Sequence, residues 1–438
     1  MKMTTRKTAI ALTTLTCSLV LAGCGSGLTT SQGFAPVTQG NVLRGHSFGG
    51  QQPLSSSTVQ LYMAGTTGYG SAATSLNALN GSNPVLTDSN GNFSITSYNA
   101  SGCTPSSNEV YILSSGGNAG AGANSAALLM GALGTCAQVA SWSSFINLNE
   151  LTTVSAAWAL SPFMTDITHV GTSSTNTTGL SNAFKTAAQL VNISSGYPDG
   201  TGAPSGTTLP VDRITAMGDI LGACINSAGP GSSACSTVLG NAGGGTATDV
   251  GTAAALIAQN PWKNVSTLYG VITGNPAYAT TLSSAPTDWT LAVNYTGGGG
   301  LNTPKGVTVD AAGDLWVPNS GNNTVTELSS TGAVLSTTTG LNAPYAVAID
   351  ASGNAWVANY GNSTLAEISS GGSLLNTYST GGLDQPTSIT IDSTGNLWLS
   401  NGGNNTVTAI ASNGTALSGS PFSGGGVSTP VGIAVTPH

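Results

Sequence analysis

Hydrophobic residues along this 438-residue chain follow three kinds of spacing in turn. A short apolar run from Ala9 to Leu21 comes first, interrupted by Thr13, Thr14 and Thr16. From about residue 38 the pattern alternates with period two. Asn41-Val42-Leu43-Arg44 and Thr58-Val59-Gln60-Leu61-Tyr62 therefore read as half-buried strands. Thr87-Asp88-Ser89-Asn90-Gly91-Asn92-Phe93 places a tight turn before the next strand, because Asp and Asn hydrogen-bond their own backbone and Gly takes positive φ. Beyond residue 147 the spacing becomes helical: Leu151, Val154 and Trp158 share a face, as do Phe184, Ala187, Ala188 and Val191, and then Ile214, Met217, Leu221, Cys224 and Ile225. Pro210 marks a helix start, where its missing N–H does no harm, and Asp249 to Gln259 reads as a further helix before Pro261. Asn147, Asn149 and Glu150 read as a helix start rather than as an active site.

Alternation returns after residue 300 inside a repeat. Thr303-Pro304, Ala343-Pro344, Gln385-Pro386 and Thr429-Pro430 recur at intervals of 40 to 44 residues. Val309-Asp310-x-x-Gly313-Asp314-Leu315-Trp316 returns as Ile349-Asp350-x-x-Gly353-Asn354-Ala355-Trp356 and as Ile391-Asp392-x-x-Gly395-Asn396-Leu397-Trp398. Each unit continues to an Asn, at 319, 359 or 401, and then to another alternating strand. A period of this length with four short strands per unit predicts a β-propeller. The Asp residues are expected to cap the following turn, and the Trp residues to fill the space between blades. Three full units are present; Trp289 to Val293 reads as the closing strand of a preceding unit, and Val431 to Val435 begins another. A ring of this kind closes by a thin fourth blade, by cover from the helical segment, or by the meeting of two chains.

In detail these units resemble NHL repeats, and the region around residues 38 to 100 resembles a small prealbumin-like β-sandwich found beside carboxypeptidases. Lys2, Arg6 and Lys7, the apolar run and Leu21-Ala22-Gly23-Cys24 together resemble a bacterial lipoprotein signal. That resemblance makes Cys24 the lipidated N-terminus, and Gly25 in place of Asp implies the outer membrane, on its periplasmic or surface face. The expected fold is thus multidomain: signal peptide 1–23, lipid-anchored flexible linker 24–37, β-sandwich-like domain 38–146, α-helical domain 147–280, and NHL-type β-propeller segment 285–438.

Charge narrows the function. Only 5% of residues are charged, and 16 acidic residues stand against 8 basic ones. Beyond Cys24 the basic residues are Arg44, Lys185, Arg213, Lys263 and Lys305, with none of the clustering that phosphate backbones need, so no nucleic-acid partner is expected. Cys103, Cys136, Cys224 and Cys235 are expected to form disulfides in an oxidising envelope, Cys103 with Cys136 and Cys224 with Cys235, each pair within one segment. No CxxC spacing exists and the histidines are His46, His169 and His438, so no metal site and no cofactor are assigned.

Architecture of this kind resembles bacterial NHL-repeat envelope proteins, among whose propeller relatives are streptogramin lyases and lactonases. The lyase relatives use His with Glu, and the lactonase relatives a divalent cation. Here the repeats contain no His before His438, and their glutamates, Glu327 and Glu367, occupy one repeat position expected to face solvent. No catalytic residue is therefore assigned. The expected function is a non-enzymatic, lipid-anchored envelope protein whose propeller binds a protein or a glycan through a loop face carrying Asn319, Asn359, Tyr360 and Asn401. A metal-dependent propeller lyase or lactonase, with a divalent cation, is the alternative. A structural protein that assembles as a homo-oligomer through incomplete propellers is the third reading.

Overall fold

Alternation in residues 43–135 produces two antiparallel-rich sheets. In the computed structural model, which describes residues 41–245, 247–272, 276–278, 282–295 and 300–435, one sheet runs Leu79–Asn80, Asn83–Leu86, Thr58–Met63, Glu109–Ser115, Leu128–Thr135. The other centres on Leu43–Gly49, flanked by Asn92–Ile95, Gln52–Pro53 and Ile146–Leu148. The last of these pairs in parallel, Gly45 opposite Ile146. The segment boundary expected after residue 146 therefore runs through a sheet. The helices are α1 (Cys136–Ala140), α2 (Glu150–Leu160), α3 (Thr177–Leu190), α4 (Val211–Ile225), α5 (Ser233–Gly240), α6 (Val250–Gln259) and α7 (Val265–Tyr269).

α2 holds this body together. Asn149 caps it, accepting a hydrogen bond from the Thr152 N–H, and nine of its residues are buried. A helix with no distinct polar face, its Thr and Ser hydroxyls bonded locally, belongs in an interior. α2 packs on the Leu128–Thr135 strand and against α3, α4 and α6. Glu150 is fully buried; both its oxygens accept the Gly50 N–H, at 2.8 and 2.9 Å, and it takes the Tyr278 hydroxyl as well. Burial pushes its pKa up to about 7 against those hydrogen bonds. Glu150 is thus a knot tying the Gly49–Gln52 turn to α2, the helix-start role its sequence position indicates. One apolar core takes Leu61, Ile112 and Leu129 from one sheet, Leu43, Ile95 and Ile146 from the other, and Val154, Met217 and Ala253 from the helices. Disulfides join Cys103 to Cys136 and Cys224 to Cys235, with Cα atoms 5.7 and 3.9 Å apart.

The repeats form three blade-like sheets. The first consists of Thr308–Val309, Leu315–Asn319, Thr324–Leu328 and Val334–Thr338, and the second of Pro344–Ile349, Ala355–Asn359, Thr364–Ile368 and Leu374–Tyr378. The third has three strands, Pro386–Ile391, Leu397–Asn401 and Thr406–Ile410. Its expected outer strand is replaced by two isolated bridges, at Ala416 and Phe422. Gly419-Ser420-Pro421 breaks the strand there, since Pro421 has no N–H for a ladder. The third unit is accordingly incomplete.

The Asp and Trp of each unit act together. Asp310 Oδ1 accepts the Ala312 and Asp314 N–H groups, and its Oδ2 accepts Trp316 Nε1–H at 3.2 Å. Asp350 with Trp356 and Asp392 with Trp398 repeat this bond at 2.9 Å. Trp316 packs with Ala355, Val357 and Ile368 of the second sheet, and Trp356 with Ile389, Leu397 and Leu399 of the third. The bridging role expected of the Trp residues is what these two perform. Trp398 is half-buried against Phe422, ring centroids 5.9 Å apart.

Helical cover closes the leading end of the repeats. On α3, Asn182 Nδ2 donates to the Ala312 carbonyl and Gln189 Nε2 to the Thr331 carbonyl, at 3.0 and 2.9 Å. Asn294–Tyr295 pairs with Thr207–Thr208 of the helical region. The Tyr295 ring lies against Gly332, where an added Cβ would come within 1.9 Å of it, so only glycine fits. At the trailing end, residues 431–435 carry no strand. No helix among the described residues is long and apolar enough to cross a membrane.

Candidate functional site

Each repeat's second strand ends on an Asn, and the sheet buries and hydrogen-bonds that side chain. Asn319, Asn359 and Asn401 are 0%, 2% and 0% exposed. Each Oδ1 accepts a backbone N–H from 17 residues earlier, on Asn302, Asn342 and Asp384 respectively, at 3.2 to 3.3 Å. Each Nδ2 donates to Thr hydroxyls of the next strand: Thr324 and Thr326 for Asn319, Thr364 for Asn359, Thr406 and Thr408 for Asn401. The loop-face position expected of these three residues is therefore corrected; their amides are buried and close the sheet. The spacing Asn-x-x-x-x-Thr-x-Thr at 319 and 401 is the sequence signal that carries this arrangement.

Tyr360 remains at the surface, and the fold gives it neighbours that periodicity alone does not reveal. Tyr345 follows Pro344 at the start of the second sheet, and its ring lies 5.6 Å from that of Tyr360, tilted by 34°. Lys305 follows Pro304 at the equivalent position of the first sheet, with Nζ 5.7 Å from the Tyr345 centroid. The Tyr360 hydroxyl donates to Gln385 Oε1 at 3.3 Å. Two half-exposed rings, an exposed ammonium and an exposed amide thus meet at one end of the sheets. Flat apolar faces beside hydrogen-bonding groups can stack on a sugar ring and bond its hydroxyls.

Acidic side chains gather on another part of the first sheet. Carboxylate oxygens of Asp310, Asp314 and Glu327 lie within 4.8 Å of one another. Glu327 is only 6% exposed, which corrects the solvent-facing position expected of it; it pairs across from Trp316 and is covered with it. Its Oε2 accepts the Ser336 hydroxyl at 2.8 Å, and Asp314 Oδ1 accepts the Ser330 N–H at 3.2 Å. Burial raises the Glu327 pKa, the Asp314 and Asp310 charges push it the same way, and Ser336 opposes them. Glu367, its counterpart in the second sheet, faces an amide instead: Asn354 Nδ2 donates to Glu367 Oε1 at 3.4 Å.

His169 sits in the body, on a hairpin with Met164–Asp166, where its Nδ1 lies 2.9 Å from the Asp166 carboxylate. His438, Cys24 and the whole 1–37 region fall outside the described residues.

No protein-family profile matches the chain, and no curated protein matches it. Among solved structures it is similar to a streptogramin B lyase, at 18% identity over 26% of this chain and 40% of that one, with a TM-score of 0.25. It is also similar to virginiamycin B lyase from Staphylococcus aureus, at 21% identity over 33% of this chain and 49% of that one, TM-score 0.29. Hydrazine synthase of Kuenenia stuttgartiensis matches at 19% identity over 30% of this chain and 38% of that one, TM-score 0.28. The chain thus spans less than half the length of each of these structures.

Proposed function

We propose that this chain is an exported envelope protein, lipid-anchored through Cys24, whose NHL-type repeats bind a glycan through Lys305, Tyr345, Tyr360 and Gln385. The observation that carries the reading is the half-exposed Tyr345–Tyr360 pair with a lysine and the exposed Gln385 amide at its edges. Binding rather than catalysis fits the repeats' own chemistry. The His that serves the lyase relatives has no counterpart between Thr303 and Ile433, and Glu327 and Glu367 accept hydrogen bonds within their own sheets.

The test is titration calorimetry of the full chain with soluble peptidoglycan fragments and outer-membrane polysaccharide. Tyr345→Ala and Tyr360→Ala are expected to weaken glycan binding at least about tenfold, on the order of 1.4 kcal/mol each. Unchanged affinity in both variants, or binding of envelope protein and of no glycan, would reject the platform. Cys24→Ala is expected to abolish metabolic labelling with a radioactive fatty acid in the producing bacterium, and retained label would reject the anchor.

A further inference from the structure

Away from the repeats, a cleft of about 500 Å³ opens between α1 and α3. That volume lies in the range of small-molecule sites. Leu133, Trp142, Phe184, Ala188 and Ile193 form its walls. Into it projects Glu109, from the edge of the Glu109–Ser115 strand. Glu109 is 4% exposed, and its Oε2 is buried with no hydrogen-bond partner. Thr135, Gln138, Trp142 and Lys185, which also line the cleft, already have partners of their own. Thr135 and Gln138 bond each other's backbone N–H groups in the α1 cap, and Trp142 Nε1 donates to the Ser144 carbonyl. Ser181 lies beside the Glu109 carboxyl and lowers its pKa, and Lys185 Nζ donates to Asn182 Oδ1 at 3.2 Å. One acceptor in an apolar cleft is left unmet, and leaving a buried charged acceptor unmet costs more than a typical hydrogen bond gains.

We propose that this cleft binds a primary amine with a small apolar body, the ammonium group donating to Glu109 Oε2 and the body lying on Trp142, Phe184 and Ile193. The sign of the charge follows from the orphan atom: it is a carboxylate oxygen, which accepts from an ammonium and repels an anion. Trp142 adds attraction for a cation near its ring face. A metal ion would find a single protein carboxylate here. Room for a longer chain exists, because a neighbouring depression continues past Lys185, Ala188 and Ile193 to Thr331 of the first propeller sheet.

The cleft also sets a pH dependence. Burial lifts the Glu109 pKa to about 7, while Ser181 and Lys185 hold it down. Lys185, on α3, is the other charged residue in the lining; the Leu128–Thr135 strand and α1 present Thr135 and Gln138, which do not titrate in this range. Ammonium binding requires the ionised carboxylate. Affinity should therefore hold above about pH 7 and fall below it by up to about tenfold per pH unit.

The experiment is calorimetry of the full chain with 2-phenylethylamine at about pH 8 and about pH 5.5, using 2-phenylethanol and 3-phenylpropanoate as isosteric controls. The amine is expected to bind best, to weaken at least about tenfold at the lower pH, and to lose at least about tenfold in Glu109→Gln. Ala188→Trp, at the exposed rim, is expected to block the cleft and supplies the test should Glu109→Gln fail to fold. Tighter binding of the acid, unchanged amine affinity in both variants, or no heat from any of the three probes at millimolar concentration would overturn the proposal.

Discussion

In the body, a large apolar core running from Leu43 to Trp289 draws side chains from both sheets and the helices, and a second cluster packs α2, α3 and α6 on Tyr111, Leu113, Leu128 and Met130. In the repeats, each sheet meets the next through a small cluster of its own, and the same Asp–Trp and Asn–Thr hydrogen bonds recur from unit to unit. A common core couples every element to every other, so loss at one point is felt throughout. A stack of neighbours couples each unit only to the next. The two regions of one chain should therefore answer damage differently. Trp356→Ala empties the contact between the second and third sheets and is expected to cost about 3–5 kcal/mol. Hydrogen exchange should then rise over residues 344–410 while the body stays protected. Leu151→Ala, at the fully buried start of α2, is expected to cost about 2–5 kcal/mol and to raise exchange across both body sheets. Exchange in the body after Trp356→Ala would break the comparison.

The same contrast explains what could be read from the sequence. Repetition exposes rules: Asp310, Asp350 and Asp392 stand six residues before their Trp partners, and any pattern that returns every 40 to 44 residues must have one structural cause. The helix starts at Asn149 and Asp249 were legible for a similar reason, because side-chain capping is local chemistry, and the start at Pro210 because proline lacks an N–H to leave unpaired there. What periodicity cannot give is which surfaces meet. Alternation places Ile146 on a strand but does not show its parallel pairing with Gly45, which merges the β and helical segments. Glu109 sits in an apolar stretch that reads as an ordinary strand, and only α1 and α3, distant in sequence, turn its surroundings into a cleft. Glu327 looks solvent-facing until the neighbouring side chains cover it. Tyr345 and Lys305 likewise join Tyr360 only when two units lie side by side.

Within the repeats a smaller comparison is available, because the units are natural variants of one another. Asn319 and Asn401 each donate to two Thr hydroxyls; Asn359 donates to one, since Ala366 stands where Thr326 and Thr408 stand in the other units. Replacing a buried amide removes its hydrogen bonds and leaves buried groups less well satisfied, at about 1–3 kcal/mol in all. Asn401→Ala is expected to fall at the upper end of that range and Asn359→Ala at the lower, measured as midpoint shifts in urea. Equal losses would mean that the shared backbone acceptor bond, and not the Thr hydroxyls, carries the contribution.

The finest difference lies between the first two sheets, where Asp314 occupies the position of Asn354 and faces Glu327 with a like charge. A carboxyl whose folded pKa is raised binds its proton more tightly when folded than when unfolded. The penalty for ionising Glu327 is absent below the ordinary glutamate pKa near 4.3 and complete above the raised folded value, so stability falls as pH rises through that window. Asp314→Asn removes one charge and offers the donor that Asn354 gives Glu367. It is expected to stabilise the repeats at neutral pH on the order of 1 kcal/mol and to flatten the fall between acid and neutral conditions. Urea unfolding of the parent and the variant, at about pH 4 and about pH 7, separates the effects. A gain at both pH values would reflect the new hydrogen bond alone, whereas a gain confined to neutral pH assigns the slope to repulsion between Asp314 and Glu327. Destabilisation at neutral pH would show that Asp314, through its bond from the Ser330 N–H, does more to hold the outer turn than its charge does to disturb Glu327.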